Sequence, residues 1–540
     1  MVSFCSLVPL VLIFFLAFTA HCSGQSFEET FGLRPVRLNM RQVLAGALAN
    51  SMDVKIEYAD FEIAQAQIDG AGGKFDPVLS LTGGRQDNRT AQNAQEYVQT
   101  GGLIVPRASP HLFNQTNTQA ETSLEWRMPT GTSVVLFSQV GSYLNDLNRN
   151  SPVALFSPEQ RVTNGMSLVQ PLLKDAWFSA NLAEIRASRS NARIADLQWQ
   201  QSLSEVIAAV MRDYFALSYA FENIEVRRGV LAFAKTLLHE NERRKEAGVG
   251  AAVEVEEARV GVATAREEVV AAMELIIQRQ RVLKTQLMSV AADVQGILFL
   301  PADVLPPAVG SPPPRTRCLA DALVRRPDHL RKIRDAEKQD IILKYARNQT
   351  LPRLDLKATV SASGLDGGLA GAYQNSLDRQ GYNFMVGFEF SVPLGNHKAR
   401  AARTVAELHK EQALMAVAQS EVAVAAEVEE ALAAWQAAAT RLSYARDSVK
   451  AVDLMLAAEQ KRFEQGVARS FDVLRARRLV ADARSREVAA LADWNAARTA
   501  LQARTGILLE QVGVVIEHAE KGGASARLQA QGSSQRANAP

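Results

Sequence analysis

At 540 residues the chain is long enough for several ordinary domains or for one elongated architecture. Its 60 Lys and Arg nearly balance 58 Asp and Glu, so no overall field draws in nucleic acid or an acidic substrate. Of three cysteines, Cys5 and Cys22 lie in or beside the N-terminal apolar segment and Cys318 stands alone beyond it, which excludes an intrachain disulfide framework and a Cys-rich metal site.

The chain opens on an apolar run, Leu7 to Phe18, followed by small residues around Ala20 to Gly24. Residues 1–24 therefore read as a signal peptide. Cys22 leaves an acylated N-terminus as an alternative, although Thr19-Ala20-His21 is a poor lipobox. No later stretch of 18 apolar residues occurs, so a membrane crossing has to use β-strands.

Residues 25–296 and 318–510 read as two copies of one structural repeat. Leu44, Ala47, Leu48 and Asp53 match Leu319, Ala322, Leu323 and Asp328 at an offset of 275, which still holds for Pro77 and Pro352. Gly165, Pro171 and Leu172 match Gly387, Pro393 and Leu394 at 222, and Arg244, Gly248 and Val249 match Arg462, Gly466 and Val467 at 218. Copy one carries extra sequence between Gly84 and Gln160. The connector, residues 297–317, holds Pro301, Pro306, Pro307 and Pro312 to Pro314, a density that suits an extended chain. Residues 511–540 are expected to form a disordered tail, polar and without periodicity from Glu520 onward.

Within each copy the hydrophobic period changes sharply. Leu203, Ile207, Val210, Tyr214, Leu217, Phe221 and Ile224 alternate steps of four and three, a heptad seam. A second seam runs from Val255 through Ala258, Val262, Ala265, Val269 and Ala272 to Ile276. Copy two repeats the plan with Val424, Val428, Ala431 and Trp435, then Val473, Ala476, Val480 and Ala483. A helix over 397–465 would be roughly 100 Å long, and helices over 318–348 and 471–505 roughly 45 and 50 Å. Two short helices laid end to end match the long one, as in a wall of paired helices. Periodicity alone is equally satisfied by ordinary antiparallel coiled-coil hairpins.

Before the long helices the period is two. Leu354, Leu356, Ala358 and Val360 alternate with Asp355, Lys357 and Thr359, and Phe384, Val386, Phe388 and Phe390 with Met385, Gly387 and Glu389. This is the apolar-out, polar-in dyad of a barrel strand. Two such strands per copy give four per chain, too few to close a barrel, so several chains are required. The extra sequence of copy one holds a hairpin, Leu124, Trp126 and Met128 before Pro129-Thr130-Gly131 and Val134 to Phe137 after it, which extends the barrel or its outer loops. If it crosses the membrane the count rises to six. Pro171 and Pro393 are each expected to end a strand and start a helix, marking the junction of barrel and tube.

The duplicated order of helix, strand, strand, long helix, Gly-turn and helix resembles the TolC-like outer membrane factors over nearly all of residues 40–510. The most specific pieces are the turns Arg244-Lys245-Glu246-Ala247-Gly248-Val249 and Arg462-Phe463-Glu464-Gln465-Gly466-Val467. The resemblance implies a mainly α fold with transmembrane β: a trimeric β-barrel continuing into a long periplasmic α-helical barrel. It implies an outer-membrane efflux or type I secretion channel, docked through these tips on a periplasmic adaptor that joins it to an inner-membrane transporter. It also implies a periplasmic gate with acidic rings and tethers. Asp472 stands at the position of one ring, with Glu254 its counterpart in copy one, while Arg475 replaces a second aspartate. Phe463 stands where some members have a tethering tyrosine, and Arg469 lies one residue from a tethering arginine, at whose place is Ala468. A solvated tip carboxylate is an equal reading of Asp472.

No phosphate loop, His-Glu-x-x-His, Cys pair or Gly-x-Ser-x-Gly occurs, and the seven histidines are scattered. The sequence gives no ground for an enzyme, a metal, a cofactor or a nucleic-acid partner. The competing readings are a periplasmic coiled-coil adaptor and a trimeric adhesin, both of which lack two copies of a strand-to-long-helix junction.

Overall fold

The computed structural model describes residues 34–92, 111–149, 154–287, 297–379, 381–465, 467–518 and 524–528. The expected signal peptide, Cys22 and Gly466 lie outside them.

Copy one runs β1 (Arg34–Leu38), α1 (Met40–Asn50), α2 (Met52–Gly72), β2 (Val78–Gln92), β3 (His111–Arg127), β4 (Ser133–Asn145), α3 (Asp146–Arg149), β5 (Glu159–Pro171), α4 (Trp177–Asn181), α5 (Ala183–Glu246) and α6 (Ala252–Leu287). Copy two runs β6 (Ile297–Pro301), α7 (Arg315–Arg325), α8 (Pro327–Gln349), β7 (Arg353–Asp366), α9 (Leu369–Leu377), β8 (Gly381–Ser391), α10 (His397–Glu464) and α11 (Ser470–Arg504). A short α12 (Leu508–Val512) and an antiparallel pair, β9 (Val514–His518) with β10 (Ala524–Leu528), follow. The duplication is thus visible as structure. Each copy opens on a short strand, and these two strands, β1 and β6, pair with each other in parallel.

The chain divides into two compact units. One comprises Met1–Asn50, Val210–Pro307 and Tyr444–Ala492. Its interior is the predicted seams: Val210, Tyr214, Leu217 and Ile224 of α5 are buried, as is every position from Val255 to Ile276 named above. Alanines and Gly261 let these helices approach closely. A Cβ on Gly261 would come within 2.5 Å of Leu474 Cδ2, and Leu474 sits in one cluster with Val230, Ala234, Leu237, Val262, Ala265 and Ala481. Tyr214 donates to the carbonyl of Leu38 at 3.1 Å and Gln280 accepts from the Phe299 N–H at 3.1 Å, which ties the β1–β6 pair to α5 and α6.

The other unit comprises Ser51–Ala209, Ala308–Ser443 and Asp493–Pro540. It contains a six-stranded antiparallel sheet in the order β2-β3-β4-β5-β7-β8. The copy-one insertion is therefore an integral part of the sheet: β3 pairs with β2 and β4 with β5. Its turn closes where expected, with Gly131 at φ 90°, a conformation open to glycine, and its N–H on the Met128 carbonyl at 2.9 Å.

Several expectations need correction. The helix expected over 318–348 is two, broken at Arg326, because Pro327 at the first helical position holds the preceding residue extended (φ −68°, ψ 121°). The connector 297–317 begins as β6 and ends inside α7, and the expected tail 511–540 holds the end of α12 and the β9–β10 pair. Neither junction proline starts a helix. Pro171 is the last residue of β5 and is buried, with α4 opening only at Trp177; Pro393 is exposed and α10 opens at His397.

At that junction the chain changes direction through residues in left-handed conformations, Asp175, Trp177, Gly395 and Asn396, whose geometry polar side chains enforce. Asp175 N–H donates to Asn348 Oδ1 at 2.8 Å, Asn181 Nδ2 donates to the Asp175 carbonyl at 2.8 Å, and Asn396 Nδ2 donates to the Thr350 carbonyl at 3.0 Å. These side chains, not the prolines, build the strand-to-helix corner.

Candidate functional site

Two surfaces carry the chemistry: the faces of the sheet and the helical tips. The pairing register decides which strand residues share a face. On one face Leu79, Leu124, Leu136, Met166, Val360 and Phe384 form a continuous row across all six strands, and Trp126, Val134, Leu168, Ala358 and Val386 form the next. Many of these side chains are exposed, Leu79, Phe384 and Phe388 among the most open. On the opposite face lie Glu125, Glu121, Arg161, Arg353, Asp355, Lys357 and Glu389. Ion pairs join Lys357 to Glu389 and Arg353 to Asp355 there. A cleft of about 630 Å³ opens on this polar side between β2 and β5, lined by Thr82, Gln119, Glu121, Gln139, Tyr143 and Arg161. An exposed apolar face cannot remain in water over such an area, and a charged face cannot enter hydrocarbon, so lipid and lumen are assigned by composition. The edge strands β2 and β8 have no further partner among the described residues.

The first tip ends α5 in a Schellman motif. Val249 N–H reaches the Arg244 carbonyl at 3.0 Å, Gly248 N–H reaches that of Lys245 at 3.0 Å, and Gly248 has φ 77°. The second tip repeats the longer bond, from Val467 N–H to the Arg462 carbonyl at 2.9 Å. Both valines are exposed, Val249 at 72% and Val467 at 68%. Arg462 pairs with Glu459 in its own helix at 2.8 Å.

The expected gate residues separate into two groups. Phe463, half-buried, packs against the cluster of Leu456, Val473, Ala476 and Val480. Asp472, exposed, accepts the backbone N–H of Arg469 at 3.1 Å and so works as the returning arm of a helix cap. Arg469 and Arg475 are exposed, and Glu254 is half-buried at the third position of α6.

A residue that periodicity does not single out connects the tips. Asn241 on α5 is 2% exposed, and its Nδ2 donates to the Glu254 carbonyl at the start of α6 and to Ser470 Oγ at the start of α11, both at 3.1 Å. Further links join α11 to the copy-one hairpin: Arg227 to Asp482 at 2.6 Å, Ser485 Oγ to Asn223 Oδ1 at 2.7 Å, and Arg478 to the Gly261 carbonyl at 2.9 Å. The available signal was a polar residue interrupting an apolar seam, as at Asn223 and Asn241. Among the described residues no group of His, Cys, Asp and Glu could hold a metal ion, and no helix is long and apolar enough to cross a membrane.

The family model for outer membrane efflux proteins matches residues 137–287 and 319–507, more than half of the chain and both copies. The chain belongs to the outer membrane efflux protein family. The first matched segment begins inside β4, so most of the inserted hairpin lies outside the family pattern. Solved structures with the same fold include the outer-membrane channel OprN (18% identity, 86% of this chain and 89% of that chain covered, TM-score 0.58). The CmeC outer membrane channel of Campylobacter jejuni is also similar (16% identity, 91% and 89% covered, TM-score 0.56). So is the open state of the MtrE outer membrane channel of Neisseria gonorrhoeae (16%, 87% and 89%, 0.57). No curated protein matches the chain. As a member of this family it is an outer membrane channel of efflux systems, in a family of channels and not of enzymes.

Proposed function

We propose that three copies of this chain form one outer-membrane conduit that docks by its helical tips on a periplasmic adaptor, and through it on an inner-membrane transporter. The observation that carries this reading is the six-stranded sheet with one apolar face and two edges that have no partner among the described residues. In hydrocarbon every unpaired backbone N–H and C=O costs several kcal/mol, so β2 of one copy has to pair with β8 of the next. Three chains of six strands close a barrel of 18. Barrel diameter grows with strand number, so the insertion widens the outer wall relative to four strands per chain. Export is passive, with energy supplied by the transporter, and the family match favours efflux over type I secretion.

Exposed Val249 and Val467 make the tips the docking surface for the adaptor. In the resting state α11 is held to the copy-one hairpin by Asn241, Arg227 and Arg478, and opening breaks these links. Asp472 of three chains, with Glu254, Arg469 and Arg475 nearby, then lines the entrance.

The first test is the mass of the detergent-extracted protein by light scattering, joined to single-channel conductance. Three chains per particle with discrete conductance steps are expected; a detergent-independent monomer removes the shared barrel. In that trimer Asn241→Ala with Arg227→Ala should raise conductance at unchanged mass, and Val249→Asp with Val467→Asp should abolish co-purification with the adaptor.

A further inference from the structure

The connection between β7 and β8 is a helix of nine residues, α9, and it packs on the apolar face of the sheet. The contact is close because β7 places Gly364 beneath it: a Cβ there would lie 2.2 Å from both the Ala372 carbonyl oxygen and the Ser376 nitrogen. Val162, the register partner of Gly364, is fully buried. This end of the sheet is opposite the one where Pro171 and Arg353 lead to the helices.

Ser138 and Asn164 are polar residues on this face beside α9, and α9 satisfies them. Ser138 donates to Asn164 Oδ1 at 2.7 Å, Asn164 Nδ2 donates to Ser376 Oγ at 2.9 Å, Ser376 donates to the Ala362 carbonyl at 3.2 Å, and Tyr373 OH lies 3.1 Å from Ser138 Oγ. Asn375 Nδ2 fastens the other side to the Leu365 carbonyl at 3.0 Å. With Ser376, Asn375 and the Tyr373 hydroxyl spent on the sheet, α9 turns Leu369 and Leu377 away from it, with Leu377 70% exposed. The helix contains no charged residue; Asp366, Asp378 and Arg379 stand just outside it.

We infer that α9 is a lipid-contacting strap on the outer rim of the barrel, its Leu369 and Leu377 seated among the acyl chains of the outer leaflet near the headgroups. The occupant follows from continuity. The strap lies on the same face as Phe384, Phe388 and Val360, so a face that meets hydrocarbon over the strands meets it at α9 as well. The partly exposed ring of Tyr373 beside these leucines is the amphipathic kind of side chain enriched where membrane meets water. The inference rests on the barrel reading above.

Spin labels placed on single cysteines in a Cys318→Ser background test it, with oxygen and a water-soluble nickel chelate as relaxants in reconstituted trimers. Phe384→Cys on the apolar face and Ser363→Cys on the polar face are the references. Labels at Leu377→Cys and Leu369→Cys should favour oxygen over the chelate several-fold, like Phe384→Cys but at shallower depth. If Phe384→Cys reports lipid while both strap labels match Ser363→Cys, α9 faces water and the strap is refuted alone. If Phe384→Cys itself reports water, the barrel reading falls and the strap with it.

Discussion

The two copies of the repeat break their first helix at equivalent positions, Ser51 and Arg326, and hold the break by different means. In copy one the Ser51 hydroxyl accepts the Val54 N–H at 3.5 Å, a weak N-cap. In copy two Pro327 starts α8, and Arg326, 5% exposed, grips both oxygens of Asp328 and also Glu427 at 2.7 Å, while Arg504 reaches Glu427 at 3.0 Å. Burial alone would disfavour the charge on Arg326, yet hydrogen bonds to the two carboxylates outweigh it and raise its pKa; burial likewise opposes the charge on half-buried Asp328, whose bonds to Arg326 hold it below the usual carboxylate range. A local cap is enough where one helix has only to begin. The charged node joins α7, α8, α10 and α11, so copy two fixes four helices where copy one fixes one end. The tips show the opposite behaviour: the bond from the residue after glycine to the arginine carbonyl is kept in both copies, because reversing a helix demands one backbone geometry.

The largest expected difference is at the break itself. Arg326→Ala leaves Asp328 and Glu427 without their shared cation and should cost about 3 kcal/mol, read from urea unfolding of the detergent-solubilised protein. Equal losses at Ser51 and Arg326 would erase the contrast. Gly248→Ala, forced into the left-handed region, should cost about 1–2 kcal/mol and fray the end of α5, which hydrogen exchange at Val249 reports. Ser51→Ala should cost about 0.5 kcal/mol, given the length of its bond.

The smallest effect concerns acid. Asp340 on α8, where copy one has Gln65, is hydrogen-bonded by Lys344 at 2.8 Å and Lys410 at 2.6 Å, which lower its pKa to about 2. A depressed carboxylate contributes stability that is complete above its unfolded value of 3.8 and is lost as pH falls through about 2. Asp340→Asn should therefore lower the melting temperature slightly at pH 6 and match the parent at pH 2. A difference that persists at pH 2 would assign the effect to packing.

The seams were legible as written, from Leu203 to Ile224 and from Val255 to Ile276, because a heptad specifies its buried face whatever the partner helix is. The strand alternation at Leu354–Val360 and Phe384–Phe390 was legible for the same reason, as was Gly248 of the first tip. The break at Arg326 was missed although Pro327 announced it, since the apolar pattern runs on through the proline. Helix α9 was missed because it has no periodic signature, and Asn241 because a polar break in an apolar seam does not name the groups it bonds.

By itself the sequence determined what depends on local period and backbone geometry: two copies, long seamed helices, dyad strands, and Gly248 at the first turn. The tertiary structure alone decided which strands neighbour one another, that the insertion enters the sheet at β3 and β4, and that Asn241 ties two tips while Arg326 gathers Asp328 and Glu427. Those choices depend on groups in separate elements satisfying each other's hydrogen bonds and charges, as Gln160 does with Asp366, Asn241 with Ser470 and Arg326 with Glu427. No pattern within a single helix or strand records that pairing.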